Sequence, residues 1–216
     1  PSTITQIAKP CKGAVKFDHV RFGYDAQKPV IKDFSLEVEP GQMVAIVGPT
    51  GAGKTTLVNL LMRFYDIDAG TITIDGVNTV LDTRSDVRSN FGMVLQDAWL
   101  FSGTIRENIA YGAKDPEEKY IRLAAKLAQA DHFIELLPDG YDTIIKEDGT
   151  NLSQGQRQLL TIARAMLSNP SIIVLDEATA MLDPIGRSEV ISTIERLNRD
   201  EGITVVLITH HMAEAE

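Results

Sequence analysis

The chain has 216 residues, 44% of them apolar and 24% charged, a composition typical of a folded globular protein with a sizeable core. Its net charge of −9 argues against a nucleic-acid-binding surface and against attraction to an anionic membrane. Its only cysteine, Cys11, excludes an internal disulfide and fits a reducing compartment. We expect neither a transmembrane span, which needs about 18 apolar residues, nor a signal peptide. Because residue 1 is Pro rather than Met, we expect a piece of a longer chain.

The first part of the chain has the pattern of half-buried strands. Residues 1–13 show no periodicity and are predicted to be a linker or a frayed arm. Residues 15–20 and 34–38 alternate apolar and polar side chains, which predicts strands of an antiparallel sheet. Tyr24 lies in the loop between them. It either stacks on a purine base or is a tyrosine at the edge of the core, and its position alone favours the core edge.

A glycine-rich turn then links an apolar strand, 44–47, to a predicted helix. The turn matches G-x-x-x-x-G-K-[ST], in which glycines let successive backbone N–H groups point at one anion. The helix start adds free N–H groups and the positive end of its dipole. Lys54 supplies a charge for the outer phosphates and Thr55 an oxygen for Mg²⁺. We therefore predict a phosphate cradle for a nucleoside triphosphate, made of Gly48, Pro49, Thr50, Gly51, Ala52, Gly53, Lys54, Thr55 and Thr56.

The middle of the chain returns to strands before a helical stretch. Residues 70–76 are predicted to form a strand and a turn, and 91–95 a buried strand that ends at Gln96. The following loop contains Trp99 and Phe101 and is unusually apolar. These aromatic side chains either bury against another protein or cap the core internally, and the sequence does not separate the two alternatives.

Helical periodicity predicts an insert made only of helices before the next strand. The predicted helices are 104–111, 116–137 and 155–168, with a break at 138–140. Ser153 and Gln156 fit the S-x-x-Q capping box, which explains the last helix start in structural terms. Gly155 allows close approach, so the same helix start is also a candidate anion site, although the local sequence favours the cap.

Residues 171–175 form a short, β-branched, apolar run without alternation, typical of a buried parallel strand. Asp176 and Glu177 follow its carboxyl end, where ligands bind in open α/β sheets. Two adjacent acids imply a cation: Asp176 suits Mg²⁺, and Glu177 suits polarising a water beside the γ-phosphate. The alternative is a solvated loop. His210 follows a second such strand, 204–208, and either faces the same site or is structural, the latter being favoured on position alone.

In their fixed order these features resemble the nucleotide-binding domain of ABC transporters over essentially the whole chain. Residues 48–55 match the Walker A motif, and 172–176 with Glu177 resemble Walker B and its catalytic glutamate. Residues 152–156 resemble the signature L-S-G-G-Q, with Gln154 replacing the first glycine. The remaining matches are Tyr24 to the A-loop aromatic that stacks on adenine, Gln96 to the Q-loop, 180–183 to the D-loop and His210 to the H-switch.

The resemblance implies an α/β fold of the P-loop NTPase class and ABC ATPase type. It predicts a mostly parallel central sheet, an antiparallel β subdomain and an α-helical insert. Residues 1–216 would form a single domain with three parts. The antiparallel strands and Walker A lie in 1–95, the Q-loop and the signature in 96–168, and Walker B to the H-switch in 169–216. Family members usually continue with further strands and helices, so with Glu216 as the last residue we expect an exposed apolar sheet edge and lower stability.

The resemblance also implies binding of Mg-ATP and its hydrolysis between two such domains arranged head to tail. Each ATP would lie between Walker A of one chain and the signature residues Ser153, Gly155 and Gln156 of the other. The implied catalytic residues are Glu177, His210 and Gln96. The implied Mg²⁺ ligands are Thr55, Gln96 and Asp176. The dimer would move transmembrane domains through the Gln96–Phe101 loop, which places the chain in the cytoplasm and its parent protein at the cytoplasmic membrane face, with no nucleic-acid partner.

The two ends resemble different subfamilies. Residues 91–112 and 141–165 are similar to exporter domains, including an exporter-like X-loop at 146–149. Residues 180–187 and 208–212 are instead similar to importer ATPases of the cobalt and energy-coupling-factor group. We therefore hypothesise a hybrid, exporter-like through about residue 167, with a junction near 167–173 and an origin either constructed or natural.

Two other functions are compatible with parts of the sequence. An ABC-type ATPase outside transport, such as a DNA-repair or ribosome factor, is disfavoured by the acidic charge and the exporter-like loop at 96–109. A folded hybrid with weak or no ATP turnover is the second alternative, because catalysis is sensitive to misplacements of about 1 Å.

Overall fold

The structure is a computed structural model that describes residues 6–7, 9–25, 27–146 and 151–209. The strands in these residues are β1 (Val15–Phe22), β2 (Ile31–Val38), β3 (Met43–Val47), β4 (Ala69–Ile74), β5 (Val77–Asn78), β6 (Phe91–Leu95), β7 (Gly103–Thr104), β8 (Ile144–Ile145), β9 (Ile172–Asp176) and β10 (Thr204–Thr209). The α-helices are α1 (Lys54–Leu61), α2 (Arg84–Arg88), α3 (Ile105–Ala110), α4 (Glu118–Leu127), α5 (Asp131–Leu136), α6 (Gln154–Leu167) and α7 (Pro184–Glu201). Two short 3-10 turns lie at Thr79–Leu81 and Gly140–Asp142.

A parallel sheet with the strand order β3-β10-β9-β6 forms the centre of the fold. Its register pairs Leu95 with Asp176, Asp176 with Ile208, and Thr209 with Val47. The carboxyl ends of all four strands therefore lie at one edge of the sheet, as expected for strands joined by helical crossovers. This edge brings together the segments that the sequence analysis selected.

The two central strands, β9 and β10, have unbroken apolar runs at 172–175 and 205–208 because both faces of the sheet are covered. Ile172 and Val174 belong to one core, which also contains α1 and the antiparallel strands. Ile173 and Leu175 belong to a second core, formed with helices α3 to α7. Alternate side chains of one strand thus enter different cores, which removes the polar alternation and confirms the buried parallel strands predicted from the sequence.

A second sheet is antiparallel, with the order β2-β1-β4-β5, and it confirms the antiparallel β subdomain. The residues before it are not a frayed arm in the part that the structure describes. Ile7 and Cys11 are buried in the core beside this sheet. The backbone N–H groups of Lys12 and Ala14 donate to the Asp75 carboxylate at 2.6 and 2.9 Å. A segment without periodicity can be held to the sheet by hydrogen bonds from its backbone, and the hydrophobic pattern of the sequence does not reveal such bonds.

The insert between β6 and β9 is not made only of helices, so that prediction was wrong. It includes the two-residue strands β7 and β8, which pair with each other. The predicted helix at 116–137 is divided into α4 and α5 by a turn in which Gln129 adopts φ +55°. A left-handed residue ends an α-helix, yet Ala128 and Ala130 beside it are fully buried. The apolar spacing therefore continues across the break and hides it.

The N-terminal ends of α6 and α7 meet through backbone at two glycines. A Cβ on Gly155 would lie 3.1 Å from the Cα of Gly186. A Cβ on Gly186 would lie 2.9 Å from Oδ1 of Asp183 and 3.4 Å from the Cα of Gly155. That same Oδ1 caps α7 by accepting from the N–H of Gly186 at 2.9 Å, so it has little freedom to move.

We expect Gly186→Ala to destabilise the protein by about 1–3 kcal/mol, because the added methyl group either displaces the cap or separates the two helices. The free energy of unfolding from urea titration measures the effect. Ser188→Ala, at an exposed position of the same helix, is the matched control and should leave the midpoint nearly unchanged. Equal midpoints for the two variants would contradict a tight contact at Gly186.

Candidate active site

The turn between β3 and α1 has the geometry of an anion cradle. Gly51 and Gly53 adopt φ values of +82° and +89°, which side chains with a Cβ rarely adopt. Gly53 is the N-cap of α1, and no side chain caps this helix. The N–H groups at the start of α1 are therefore left for a ligand in the turn, where the helix dipole favours negative charge.

Lys54 connects this turn to the acidic end of β9. Its side-chain ammonium donates to the backbone carbonyls of Gly48 at 2.7 Å and Pro49 at 3.1 Å. The same nitrogen lies 3.7 Å from Oε1 of Glu177, although Lys54 is only 7% exposed. Lys54 and Glu177 line one hollow of about 210 Å³ together with Thr55. A cation, a hydroxyl and a carboxylate thus face a space large enough for phosphate groups.

Asp176 lies at the same place and has unused capacity for a ligand. Its carboxylate is hydrogen-bonded to the side chain of Thr55. Its Oδ1 is buried and has no hydrogen-bond partner among the described residues. Burial raises the pKa of Asp176 above its usual value, and the neighbouring Glu177 carboxylate adds to the rise, against the opposing effects of Thr55 and Lys54. A divalent cation beside Thr55 would satisfy this oxygen and offset the charge.

The set of oxygen donors fits Mg²⁺ better than a soft metal. Within the described part of the chain, no group of three or more His, Cys, Asp or Glu side chains is placed to hold an ion. A carboxylate and a hydroxyl are hard ligands, and Mg²⁺ commonly uses one or two such groups and completes its shell with water and substrate phosphates. Asp176 and Thr55 therefore suit a metal that arrives with a nucleotide.

We expect Asp176→Asn to raise the Tm of the ligand-free protein at neutral pH. A raised folded-state pKa means that the folded protein holds a proton which the unfolded chain has lost, so stability falls as pH rises through that interval. The neutral amide removes this cost, and each kcal/mol corresponds to about 2–4 °C for a domain of this size. The difference from the wild type should shrink as pH falls towards about 4.

Thermal scans across this pH range test the prediction. Asp18→Asn, at an exposed position of β1, changes net charge equally and is the control. A Tm for Asp176→Asn that stays at or below the wild-type value at neutral pH would show that the buried carboxylate is not a cost to the ligand-free fold.

Glu177 adopts an unusual backbone conformation where the chain leaves β9. Its φ is +52°, a left-handed value that is uncommon for non-glycine residues. Its N–H donates to the carbonyl of Ile208 on β10 at 2.9 Å, and its own carbonyl accepts from Ala180 at 3.0 Å. The chain therefore turns sharply as it leaves β9, and this turn accompanies the placement of the carboxylate near Lys54.

Tyr24 lies at the edge of the core and also beside Thr56, which lines the same hollow. Its ring is 55% exposed, and its hydroxyl is 3.3 Å from Oγ1 of Thr56 on α1. The rings of Phe22 and Tyr65 meet it in T-shaped arrangements, with centroids at 5.0 and 5.2 Å. Edge-on packing of this kind holds an aromatic ring in place. Sequence reasoning missed Tyr65, whose signal was the aromatic pair Phe64-Tyr65 just after α1.

Comparison with known proteins identifies the family. The family model described as ABC transporter matches residues 31–180. The chain belongs to the ABC transporter family. It is 50% identical, over 93% of its length, to the Fatty acid ABC transporter ATP-binding/permease protein of Mycobacterium tuberculosis (strain CDC 1551 / Oshkosh), covering 32% of that protein. It is 44% identical, over 98% of its length, to the ATP-dependent lipid A-core flippase of Haemophilus influenzae (strain 86-028NP), covering 36% of that protein.

A solved structure gives the same assignment. It is described as "Structure of a bacterial Atm1-family ABC exporter with ATP bound". The match has a TM-score of 0.82 and 42% sequence identity, and it covers 94% of this chain and 35% of the solved chain. The α/β fold of ABC ATPase type is therefore confirmed. Its membership of this family makes the chain an ABC-type ATPase domain. The chain spans about a third of the length of the curated relatives it matches. Over its described residues, every helix is too short or too polar to cross a membrane.

The comparisons give no support to a hybrid or engineered origin. The ATP-dependent lipid A-core flippase of Saccharophagus degradans (strain 2-40 / ATCC 43961 / DSM 17024) aligns over 100% of the chain at 42% identity and covers 36% of that protein, so similarity extends across the hypothesised junction. β9 begins within the hypothesised junction and pairs in regular register with β6 before it, and β10, which follows the junction, pairs in regular register with β3. The importer-like sequence at 180–187 thus occurs in a chain whose natural relatives align with it before and after the hypothesised junction.

The signature segment of this ABC domain has the predicted cap. The N–H of Gln156 donates to Oγ of Ser153 at 3.1 Å, and Oε1 of Gln156 accepts from the N–H of Ser153 at 3.0 Å. This is a complete capping box. Gln156 lines a separate groove with Lys126 and Arg196, whereas the hollow at Lys54 is lined by the Walker A turn and Glu177 among the described residues. The structure therefore does not bring the signature residues into this chain's own phosphate hollow.

The remaining predicted residues lie at or beyond the same sheet edge. Gln96 is exposed and follows Leu95, the register partner of Asp176. Thr209, the last residue of β10, is buried beside β3. His210 and most of the X-loop, 147–149, lie outside the described residues.

In the apolar loop after Gln96, Leu100 packs against the core, whereas Trp99 does not. Trp99 is 57% exposed and forms an aromatic cluster with Phe101 and Tyr111, with centroids 5.7 to 6.0 Å apart. The guanidinium of Arg164 lies 5.5 Å from the Trp99 ring and donates to the Trp99 carbonyl at 2.9 Å. Burial lowers the pKa of Arg164. The loop therefore presents an exposed aromatic surface held by contacts with Arg164, which suits contact with another protein.

Proposed function

We propose that this chain binds Mg-ATP and hydrolyses it as the motor domain of an ABC transporter. The observation that carries the proposal is the convergence of Lys54, Thr55, Asp176 and Glu177 at the carboxyl edge of the parallel sheet. A cation for phosphate, two oxygens for a metal and a carboxylate for water are the parts that phosphoryl transfer to water requires. Residues 1–216 would act as one ATPase domain.

In this proposal each residue has a separate task. Within the turn at 48–56, the backbone N–H groups that follow Pro49, which has none of its own, bind the phosphates together with the ammonium of Lys54. The exposed ring of Tyr24 stacks on adenine. Thr55, Asp176 and Gln96 hold Mg²⁺, which when bound neutralises charge on the phosphate oxygens. Glu177 accepts a hydrogen bond from the attacking water and orients it, with His210 beside the terminal phosphate.

The second half of the site would come from another nucleotide-binding domain. Ser153, Gly155 and Gln156 lie at a helix start outside the hollow at Lys54, so they would act on the ATP held by a partner domain. The capping box uses the N–H of Gln156 and leaves other N–H groups of the helix start for a phosphate. A head-to-tail dimer would place two such helix starts against two bound ATP molecules.

Transmembrane domains of a parent transporter are the proposed second partner, at the cytoplasmic face of the membrane. Trp99, Phe101 and Tyr111 supply the exposed aromatic surface for this contact, next to Gln96. The printed names of the relatives, an ATP-binding/permease protein and flippases, support this role. The hybrid hypothesis adds nothing to the proposal, because the relatives align on both sides of its junction.

A calorimetric titration with Mg-ATP, combined with a measurement of molecular mass and of phosphate release, tests the proposal. We expect saturable binding, weaker binding in EDTA, and a mass that increases towards a dimer with ATP.

Tyr24→Ala should weaken ATP binding about 10-fold, given about 1–3 kcal/mol for stacking of a base on an aromatic ring. The control is Tyr120→Ala, an exposed tyrosine on α4. Absence of Mg-ATP binding by the wild-type chain would refute the proposal.

A further inference from the structure

We propose that Gln158 is a positioning residue that sets the placement of Gln96 relative to Glu177. Gln158 lies in α6, the signature helix, and is 1% exposed. Its side-chain nitrogen donates to the carbonyl of Leu95 at 2.8 Å and to the carbonyl of Ala178 at 2.9 Å. This inference rests on the proposed function, since it assigns a role in the ATPase site to a residue that does not touch the nucleotide.

The two carbonyls belong to the residues adjacent to the metal and water groups. Leu95 immediately precedes Gln96, and Ala178 immediately follows Glu177. Both hydrogens of the amide nitrogen are therefore used, one on each side of the site. One side chain thus joins the start of the Q-loop to the segment that carries the catalytic carboxylate.

The sheet itself stops short of this position. The ladder between β6 and β9 ends at the pair Leu95 and Asp176. Glu177 then turns out of the strand direction with φ +52°, and its N–H donates to β10 rather than to β6. Gln158 connects the end of β6 to the segment after Glu177, beyond the last residue pair of the β6–β9 ladder. Without it, the exit of Gln96 from the sheet would be less constrained relative to Glu177.

The pattern of hydrogen bonds fits positioning better than stability alone. Oε1 of Gln158 is buried and has no partner among the described residues. Reversing the amide would bring this oxygen against two carbonyl oxygens, so the orientation is fixed by its neighbours. The side chain therefore serves the two backbone carbonyls and leaves its own buried oxygen unpaired, which is the arrangement expected when the donors are what matters.

Other residues of α6 bind the Q-loop but reach only one side. Arg157 donates to the Ala98 carbonyl at 3.2 Å and Arg164 to the Trp99 carbonyl. Among the described hydrogen bonds of α6, Gln158 alone contacts both the Q-loop and the segment after Glu177. A shift of the Q-loop by a membrane partner would reach the catalytic carboxylate by way of this amide.

The test is Gln158→Met in the full chain, which keeps the length and burial of the side chain and removes both donors. Calorimetry measures ATP affinity in EDTA and in Mg²⁺, and the ratio of the two affinities is the readout of metal placement. We expect ATP affinity in EDTA to stay within about 2-fold of the wild type. The enhancement by Mg²⁺ should fall about 5- to 10-fold, and kcat about 10- to 100-fold with a smaller change in KM, since misplacement by about 1 Å has effects of this size.

Two comparisons separate positioning from a general loss of structure. Thr161→Val is the matched control, because it removes a buried hydrogen bond of the same helix, from the Thr161 hydroxyl to the Gln158 carbonyl at 2.8 Å, without touching either strand end. It should keep the wild-type Mg²⁺ enhancement. In a Gln96→Ala background, Gln158→Met should reduce that enhancement little further, because both changes remove the same metal contact.

The outcomes distinguish this inference from the proposed function. Wild-type Mg²⁺ enhancement and kcat in Gln158→Met would overturn the positioning role and leave the ATPase proposal intact. Full additivity with Gln96→Ala would also overturn it. A wild-type chain that binds no Mg-ATP would refute the proposed function and the inference with it. Gln158→Leu provides the same test should the methionine variant fail to fold.

Discussion

Glu177→Gln is expected to lower kcat for ATP hydrolysis by about 10²- to 10⁴-fold, the usual contribution of a positioned base, while ATP binding is retained. The side chain lies at the hollow with Oε1 3.7 Å from the Lys54 ammonium. Glutamine keeps the shape and a hydrogen-bonding oxygen but cannot carry the negative charge that orients and polarises a water. Glutamine and glutamate differ little in backbone preference, so the left-handed turn at this residue should persist.

Phosphate release under saturating Mg-ATP measures the change, and calorimetry shows whether binding is kept. Glu195→Gln, an exposed position on α7, removes one charge of the same kind far along the helix from the D-loop and should hydrolyse ATP at the wild-type rate. A Glu177→Gln rate equal to the wild type would show that this carboxylate does not act on water. Loss of binding together with turnover would instead point to a structural role of the turn.

The sequence was sufficient for the parts of this molecule that depend on local pattern. The strands β9 and β10 followed from short β-branched apolar runs, because a strand buried on both faces has no polar position. The Walker A turn followed from its glycines, since few residues tolerate the φ values found at Gly51 and Gly53. The capping box at Ser153 followed from residue types at a fixed spacing.

The features that the sequence did not reveal depend on contacts between distant segments. Gln158 lies in a helix whose apolar spacing identifies its neighbours as core, and nothing in that spacing indicates that its amide reaches Leu95 and Ala178. The left-handed φ of Glu177 accompanies a hydrogen bond from its N–H to the carbonyl of Ile208, which is remote in sequence. The pairing of β7 with β8 joins two-residue strands about forty positions apart, too short for any periodicity to be detected.

Lys54→Met is expected to weaken Mg-ATP binding by at least about 10²-fold, because two effects of the same sign combine. The first is loss of charge-assisted hydrogen bonds to the phosphates, each contributing about 1.5–3 kcal/mol. The second is that Asp176 and Glu177 lose the cation that faces them, which leaves two acids at the place where an anionic ligand must bind. Methionine keeps an unbranched apolar stem in the position that Lys54 buries to 7% exposure, so packing around α1 should change little.

Calorimetric titration with Mg-ATP measures this loss, and Lys32→Met, at an exposed position of β2, is the control for removal of one positive charge. The two effects can be separated with Lys54→Met combined with Glu177→Gln. Removing the facing acid should restore part of the lost affinity, because the repulsion between the phosphates and an unneutralised carboxylate is then reduced. If the double variant binds no better than Lys54→Met alone, repulsion contributes little and the direct contact of Lys54 with phosphate accounts for the loss. Unchanged affinity in Lys54→Met itself would mean that the phosphates bind elsewhere, and the hollow between the Walker A turn and β9 would not be the nucleotide site.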